Sequence, residues 1–179
     1  MKKSSTSFLA TALVVAGWSG AAMAQSATVT GNLQVKITIA KECQVNASSG
    51  AGGGDAVLDF GTQGVLNADV DGQTASSGTG SLQVQCTNGV PYSIGLGNGQ
   101  NGTDASSRKM KGGTETVAYQ LYKSSARTDI WGDGTNGATG MQATANGTAQ
   151  PYQVYGRVPP QTTPAAGVYT DVVLITVAY

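Results

Sequence analysis

Two side chains in this sequence offer reactivity toward a partner of their own kind: Cys43 and Cys86, the only cysteines. The chemistry open to them is a disulfide, because metal binding needs more ligands and the chain contains no histidine. The same lack removes a Ser-His-Asp triad. Asp55, Asp59, Asp69, Asp71, Asp104, Asp129, Asp133 and Asp171 lie mostly in turn-rich stretches and do not form an evident converging pair. Trp131-Gly-Asp-Gly-Thr-Asn-Gly137 contains Asp133 and, counting Asp129 just before it, places two acidic residues near glycines in the manner of a calcium loop. The further carboxylates and closing Glu of such a loop are missing, so a turn capped by Asx hydrogen bonds is expected. Gly97-Asn-Gly-Gln-Asn-Gly102 matches G-x-G-x-x-G after an apolar strand. Thr103 to Lys111 does not open an amphipathic helix, which favours a hairpin loop over a dinucleotide site. No catalytic, cofactor or metal residue is assigned, and the chain is not read as an enzyme.

The elements that must bring the two cysteines together begin after an address. Lys2 and Lys3 precede an apolar run from Phe8 to Gly17, and Ala22-Met23-Ala24 fits a small-x-small cleavage site. Residues 1–24 are therefore expected to be a signal peptide, with the mature chain starting at about Gln25; the run is too short to span a membrane. Export places both cysteines in an oxidising compartment, where the pair is expected to bond. Closing a loop of about 43 residues stabilises a fold by roughly 4 kcal/mol on the chain-entropy model.

The remaining residues, about 155, suit one domain. Removing Lys2 and Lys3 from ten basic residues leaves eight against ten acidic ones, a net charge of −2. Nothing in that balance attracts nucleic acid or an anionic membrane. Charged residues make up 11% of the chain and glycines number 26, which points to a β domain with many tight turns and almost no helix.

Residues 27–39 alternate without a break. Val29, Gly31, Leu33, Val35, Ile37 and Ile39 share one face, while Thr28, Thr30, Asn32, Gln34, Lys36 and Thr38 share the other. Packing on its own core is the ordinary use of such a strand. A Gly-rich loop covers residues 46–54, Val57 to Gly61 reads as a short strand, and residues 65–77 are polar and turn-rich. Leu82, Val84 and Cys86 form an inward row before an Asn88-Gly89 turn; Tyr92, Ile94 and Leu96 form the next. Val117, Tyr119 and Leu121 mark one further strand, residues 152–158 another, and Gly167 to Tyr179 a long apolar last one. Short strands spaced about ten residues apart indicate an antiparallel β-sandwich of immunoglobulin type. With no hairpin returning from the last strand, one edge is expected to stay open, and the alternating segment could fill it in its own chain or a neighbour's.

The ordered set Cys43-Gln-Val45, Leu58-Asp-Phe-Gly61, Val84-Gln-Cys86, Tyr92-Ser-Ile-Gly-Leu96, Arg108-Lys-Met110, Tyr119-Gln-Leu-Tyr122, Ile130-Trp-Gly132, Val154-Tyr-Gly-Arg157 and Gly167-Val-Tyr-Thr-Asp-Val-Val173, closing on Val177-Ala-Tyr179, resembles the spore coat protein U domain. This is the domain of pilin subunits in the archaic, Csu-type branch of the chaperone–usher pathway. The resemblance implies an all-β, incomplete immunoglobulin-like antiparallel β-sandwich completed by a donated N-terminal strand. On that basis residues 25–40 are the donor strand, with Val29, Gly31, Leu33, Val35, Ile37 and Ile39 entering a groove, and residues 41–179 form the pilin domain. Val173, Ile175, Val177 and Tyr179 are the edge engaged by a periplasmic chaperone and then by a neighbour's strand. Implied partners are identical or homologous subunits, the chaperone and an outer-membrane usher; the implied destination is a surface fibre serving adhesion and biofilm formation. The polar insertions at residues 50–54 and 138–150 carry no motif of the family. A monomeric secreted adhesin or glycan-binding sandwich is the alternative. A small outer-membrane barrel is disfavoured, because only the first and last strands read as long enough for one.

Overall fold

The computed structural model describes residues 26–45 and 55–179. The expected signal peptide and Gln25, together with the Gly-rich loop at 46–54, lie outside the described residues. Eleven strands follow in chain order: β1 (Cys43–Val45), β2 (Val70–Gln73), β3 (Leu82–Cys86), β4 (Pro91–Leu96), β5 (Lys109–Gly112), β6 (Glu115–Ala118), β7 (Gln120–Tyr122), β8 (Met141–Thr144), β9 (Gln150–Tyr152), β10 (Tyr155–Val158) and β11 (Ile175–Ala178). No helix occurs among the described residues. Three-stranded sheets are ordered β1-β3-β9, β2-β10-β7 and β11-β4-β8, and β5 pairs with β6. Every ladder is antiparallel.

The inward rows read from alternation are the core. Leu82, Val84 and Cys86 of β3 meet Tyr92, Ile94 and Leu96 of β4, with Val117, Tyr119, Leu121, Trp131 and Val158 completing the cluster. Cys43 stands directly opposite Cys86 in the β1/β3 ladder, and the two are joined by the expected disulfide. Thr87 adds to the clamp: its hydroxyl donates to the Ala40 carbonyl at 2.9 Å and accepts from the Glu42 N–H at 3.0 Å. Replacing Cys43 and Cys86 with Ser is expected to lower unfolding stability by about 4 kcal/mol in urea titration. An unchanged midpoint would refute that contribution.

Several expected strands are divided or shorter in the structure. Residues 117–122 keep their inward row, but the ladder breaks at Tyr119, whose N–H donates to the Arg108 carbonyl at 3.0 Å. β6 therefore pairs with β5 while β7 pairs with β10. Residues 152–158 also serve two sheets, with β9 on β3 and β10 on β2 and β7. At the crossing, the Thr74 N–H donates to the Val154 carbonyl at 3.0 Å and the Thr74 hydroxyl accepts from the Val154 N–H at 3.0 Å. Val57 to Gly61 forms no ladder. β2 arises in the stretch read as turns, and β8 in the insertion that carries no motif. Both strands take their order from neighbouring backbone, since Asp71-Gly72-Gln73 and Met141-Gln142-Ala143-Thr144 contain little apolar alternation of their own.

Candidate functional site

The terminal segment was expected to be one long strand from Gly167 to Tyr179. The structure pairs Ile175–Ala178 with β4 and adds one bridge from Thr170 to Lys111. Its apolar residues divide into two rows. Val173, Ile175 and Val177 pack against the core yet remain half-buried, while Val168, Val172 and Leu174 point outward and are exposed. Tyr179 is 58% exposed and lies outside the inward row.

β11 is an edge strand, bonded among the described residues to β4 alone. The Gly97 N–H donates to the Leu174 carbonyl at 2.9 Å, which makes residues 174, 176 and 178 the ones hydrogen-bonded to β4. The backbone groups of Val173, Ile175 and Val177 therefore point to the unpaired side while their side chains line the core. One strip of chain thus offers both a hydrogen-bonding edge and an incompletely covered apolar row, the two features a further strand requires.

Two anchors fix this strip. Tyr169 lies against Gly112, where a Cβ would come within 2.9 Å of its ring, and its hydroxyl donates to the Ala165 carbonyl at 2.8 Å. The Asp171 carboxylate accepts from the Gln100 N–H at 2.8 Å, the Asn101 amide at 3.2 Å and the Tyr119 hydroxyl at 2.7 Å. The G-x-G-x-x-G loop is therefore a cradle for a carboxylate of its own chain, and not the plain hairpin loop expected. Gly99, at φ 79°, leaves no space for a Cβ beside Asp171. Burial, then the bond to Asp171, pushes the Tyr119 hydroxyl well above the ordinary phenol range, so it stays a donor.

Beneath that loop Arg108 is fully buried and spends its guanidinium on backbone. It donates to the carbonyls of Gly97 at 2.8 Å, Ala105 at 3.2 Å, Leu96 at 3.0 Å and Trp131 at 2.8 Å. Trp131, equally buried, donates its indole N–H to the Ile94 carbonyl at 2.9 Å. Burial draws the Arg108 guanidinium below its ordinary value, opposed by Tyr119, Asp133, Asp171 and Asp104. Arg108, Tyr119, Trp131 and Asp171 were visible in the sequence only as motif letters; their convergence was not.

The other motif residues support the opposite sheet. Gly72 and Gly156 face each other in the β2/β10 ladder, and a Cβ on either would come within about 3 Å of Leu58 and Phe60. The Leu58-Asp-Phe-Gly61 stretch thus lies across a glycine pair. Next to it Arg157 holds Asp71 in a two-point contact at 2.7 and 3.0 Å and reaches Asp69 at 3.0 Å. Asp133 caps the expected Asx turn, accepting from Thr135 N–H at 2.8 Å and Asn136 N–H at 2.9 Å. Among the described residues, no group of three or more Cys, Asp or Glu is placed to hold a metal ion.

The alternating segment at the other end forms no ladder in residues 26–41. Its apolar row is exposed: Val29 93%, Leu33 88%, Val35 87%, Ile37 82% and Ile39 69%. Ordinary packing into a core is thus not how these side chains are used here. Five large aliphatic residues at strand spacing are thus exposed together.

Comparison with known proteins agrees with the motifs. The Spore Coat Protein U domain family matches residues 29–176. Protein U of Myxococcus xanthus is 36% identical over 163 residues, covering 87% of this chain and 88% of that protein. Among solved structures, the crystal structure of the CsuC-CsuE chaperone-tip adhesion subunit pre-assembly complex, from archaic chaperone-usher Csu pili of Acinetobacter baumannii, is similar with a TM-score of 0.51 and 26% identity. That similarity covers 79% of this chain and 40% of the matched one, so the chain spans well under half of that structure's length. The antiparallel sandwich, the ordered motifs and these similarities together show that the chain belongs to the Spore Coat Protein U domain family.

Proposed function

We propose that the protein is a structural pilin subunit, exported through the periplasm and polymerised at the cell surface by donor-strand exchange into a fibre that serves adhesion and biofilm formation. Residues 25–40 are the donor strand, with Val29, Gly31, Leu33, Val35, Ile37 and Ile39 as the inserted row. Residues 41–179 are the accepting domain, with β11 at its open edge. The observation that carries this reading is complementarity within one chain. An edge strand leaves its backbone unpaired and its core-facing apolar row only half-covered, while an alternating segment elsewhere holds its apolar row exposed. The similarity to a chaperone–subunit complex supports a periplasmic chaperone as the first occupant of the edge; an outer-membrane usher is the site of exchange. The role is structural and involves no chemical turnover.

Negative-stain microscopy of cells expressing the protein with its chaperone and usher is expected to show fibres, and their absence would remove the reading. A second test concerns the edge itself. Deleting residues 177–179 shortens β11 and uncovers more of the apolar row, so the subunit is expected to fail to accumulate in the periplasm. Normal accumulation and assembly of the truncated chain would argue against β11 as the accepting edge.

A further inference from the structure

Residues 172–178 read Val-Val-Leu-Ile-Thr-Val-Ala, apolar on both faces of a strand. A slip of one residue would exchange Val173, Ile175 and Val177 for Val172, Leu174 and Thr176 on the core side, at the cost of one apolar side chain. Such a strand is weakly registered by its own pattern. The structure nevertheless has one register, with Ile175 opposite Leu96 and Val177 opposite Ile94.

Asp171 supplies the missing specification. It lies four residues before Ile175, and Gln100, whose N–H it accepts at 2.8 Å, lies four residues beyond Leu96, the partner of Ile175. The two chain segments between ladder and carboxylate are thus matched in length. A one-residue slip would move the carboxylate by about 3.3 Å along the strand and turn it to the other face. It would leave the Gln100 N–H, Asn101 amide and Tyr119 hydroxyl facing Thr170 or Val172. Three donors deprived of a carboxylate are costly, so the slip is opposed by unmet hydrogen bonds where hydrophobicity discriminates little.

We propose that Asp171 is a register pin for β11, a positioning residue that decides which row of the terminal strand lines the core and which backbone groups the open edge presents. The consequence for donor binding rests on the function proposed above; the register itself does not.

Amide hydrogen exchange on the full mature chain, at a concentration where it is monomeric, reads the register as a parity. In the native protein the Thr176 amide is protected by β4, and those of Ile175 and Val177 exchange freely. In Asp171→Ala the parity is expected to mix or reverse, with Thr176 exchanging at least tenfold faster and Ile175 slower. Asp171→Asn, which keeps an Oδ1 acceptor for Gln100 and Asn101 and can donate from its amide nitrogen to the Tyr119 oxygen, should stay native. A folded Asp171→Ala protein with native parity would overturn the proposal. If that variant does not fold, Tyr119→Phe removes one of the three donors. Faster exchange at Thr176 with Val84 of β3 unchanged supports the pin, whereas uniform or no acceleration sinks it. A synthetic peptide of residues 27–39 should bind Asp171→Ala at least tenfold more weakly than the native chain. Reversed parity with undiminished peptide affinity would keep the pin and remove the donor-strand reading.

Discussion

Replacing Leu33 or Val35 with Asp is expected to abolish fibre formation while leaving the subunit's own stability and its binding to the chaperone intact. Both side chains are more than 80% exposed in the structure, so the domain that carries them loses no packing. In a neighbour's groove the balance reverses. Each large aliphatic side chain contributes roughly 1.5–3 kcal/mol on burial, so Val29, Leu33, Val35, Ile37 and Ile39 together contribute on the order of 10 kcal/mol before ordering costs. A carboxylate in that row removes one contribution and adds the desolvation of an unpaired charge. On the function proposed above, the chaperone would occupy the accepting edge and not the donor, which is why its binding should survive. Fibres counted by electron microscopy, co-purification with the chaperone and an unchanged melting temperature are the measurements. Normal fibres from either Asp variant would show that residues 27–39 do not join subunits.

Arg108→Met should be the most damaging single substitution within the domain, costing about 3–5 kcal/mol in urea titration. Its side chain fits the space, but the carbonyls of Gly97, Ala105 and Trp131 lose the Arg108 donor, and that of Leu96 keeps only the Asn136 amide. Arg108→Lys should recover little of this. An ammonium keeps the charge but cannot reach, from one point, carbonyls that a planar fork serves in different directions. A loss below about 1 kcal/mol for the Met variant would mean that water or local repacking satisfies those carbonyls.

Much of the fold was legible because alternation is a local property. Leu82/Val84/Cys86 and Tyr92/Ile94/Leu96 could be assigned to the core from spacing alone, and the cysteine pair followed from export and number. What stayed hidden depends on distant chain. β2 and β8 have little alternation and become strands because β10 and β4 offer them backbone. The break at Tyr119 cannot be seen in a row that remains inward throughout; it is set by the Arg108 carbonyl. The terminal strand was read too long because its composition is uniformly apolar, whereas its ladder is limited by the length of β4. Asp171 looked like a turn residue, since nothing nearby in sequence indicates that a glycine loop some seventy residues earlier encloses it.

The disulfide determines how the domain would respond to being pulled. Residues 26–39 enter the sandwich through Ala40 to Cys43, and Cys43 is the first residue of β1. Tension arriving there would ordinarily open the β1/β3 ladder like a zipper, one hydrogen bond at a time from the loaded end. The crosslink to Cys86 sits at that end, so the zipper has no free tab. Traction passes instead into β3, an interior strand held on both sides by β1 and β9, and must shear a ladder to proceed. In a chain of such domains the covalent bond would keep each domain closed at its loaded end while the joints between domains stay non-covalent, and a reductant would act on every domain as a mechanical softener.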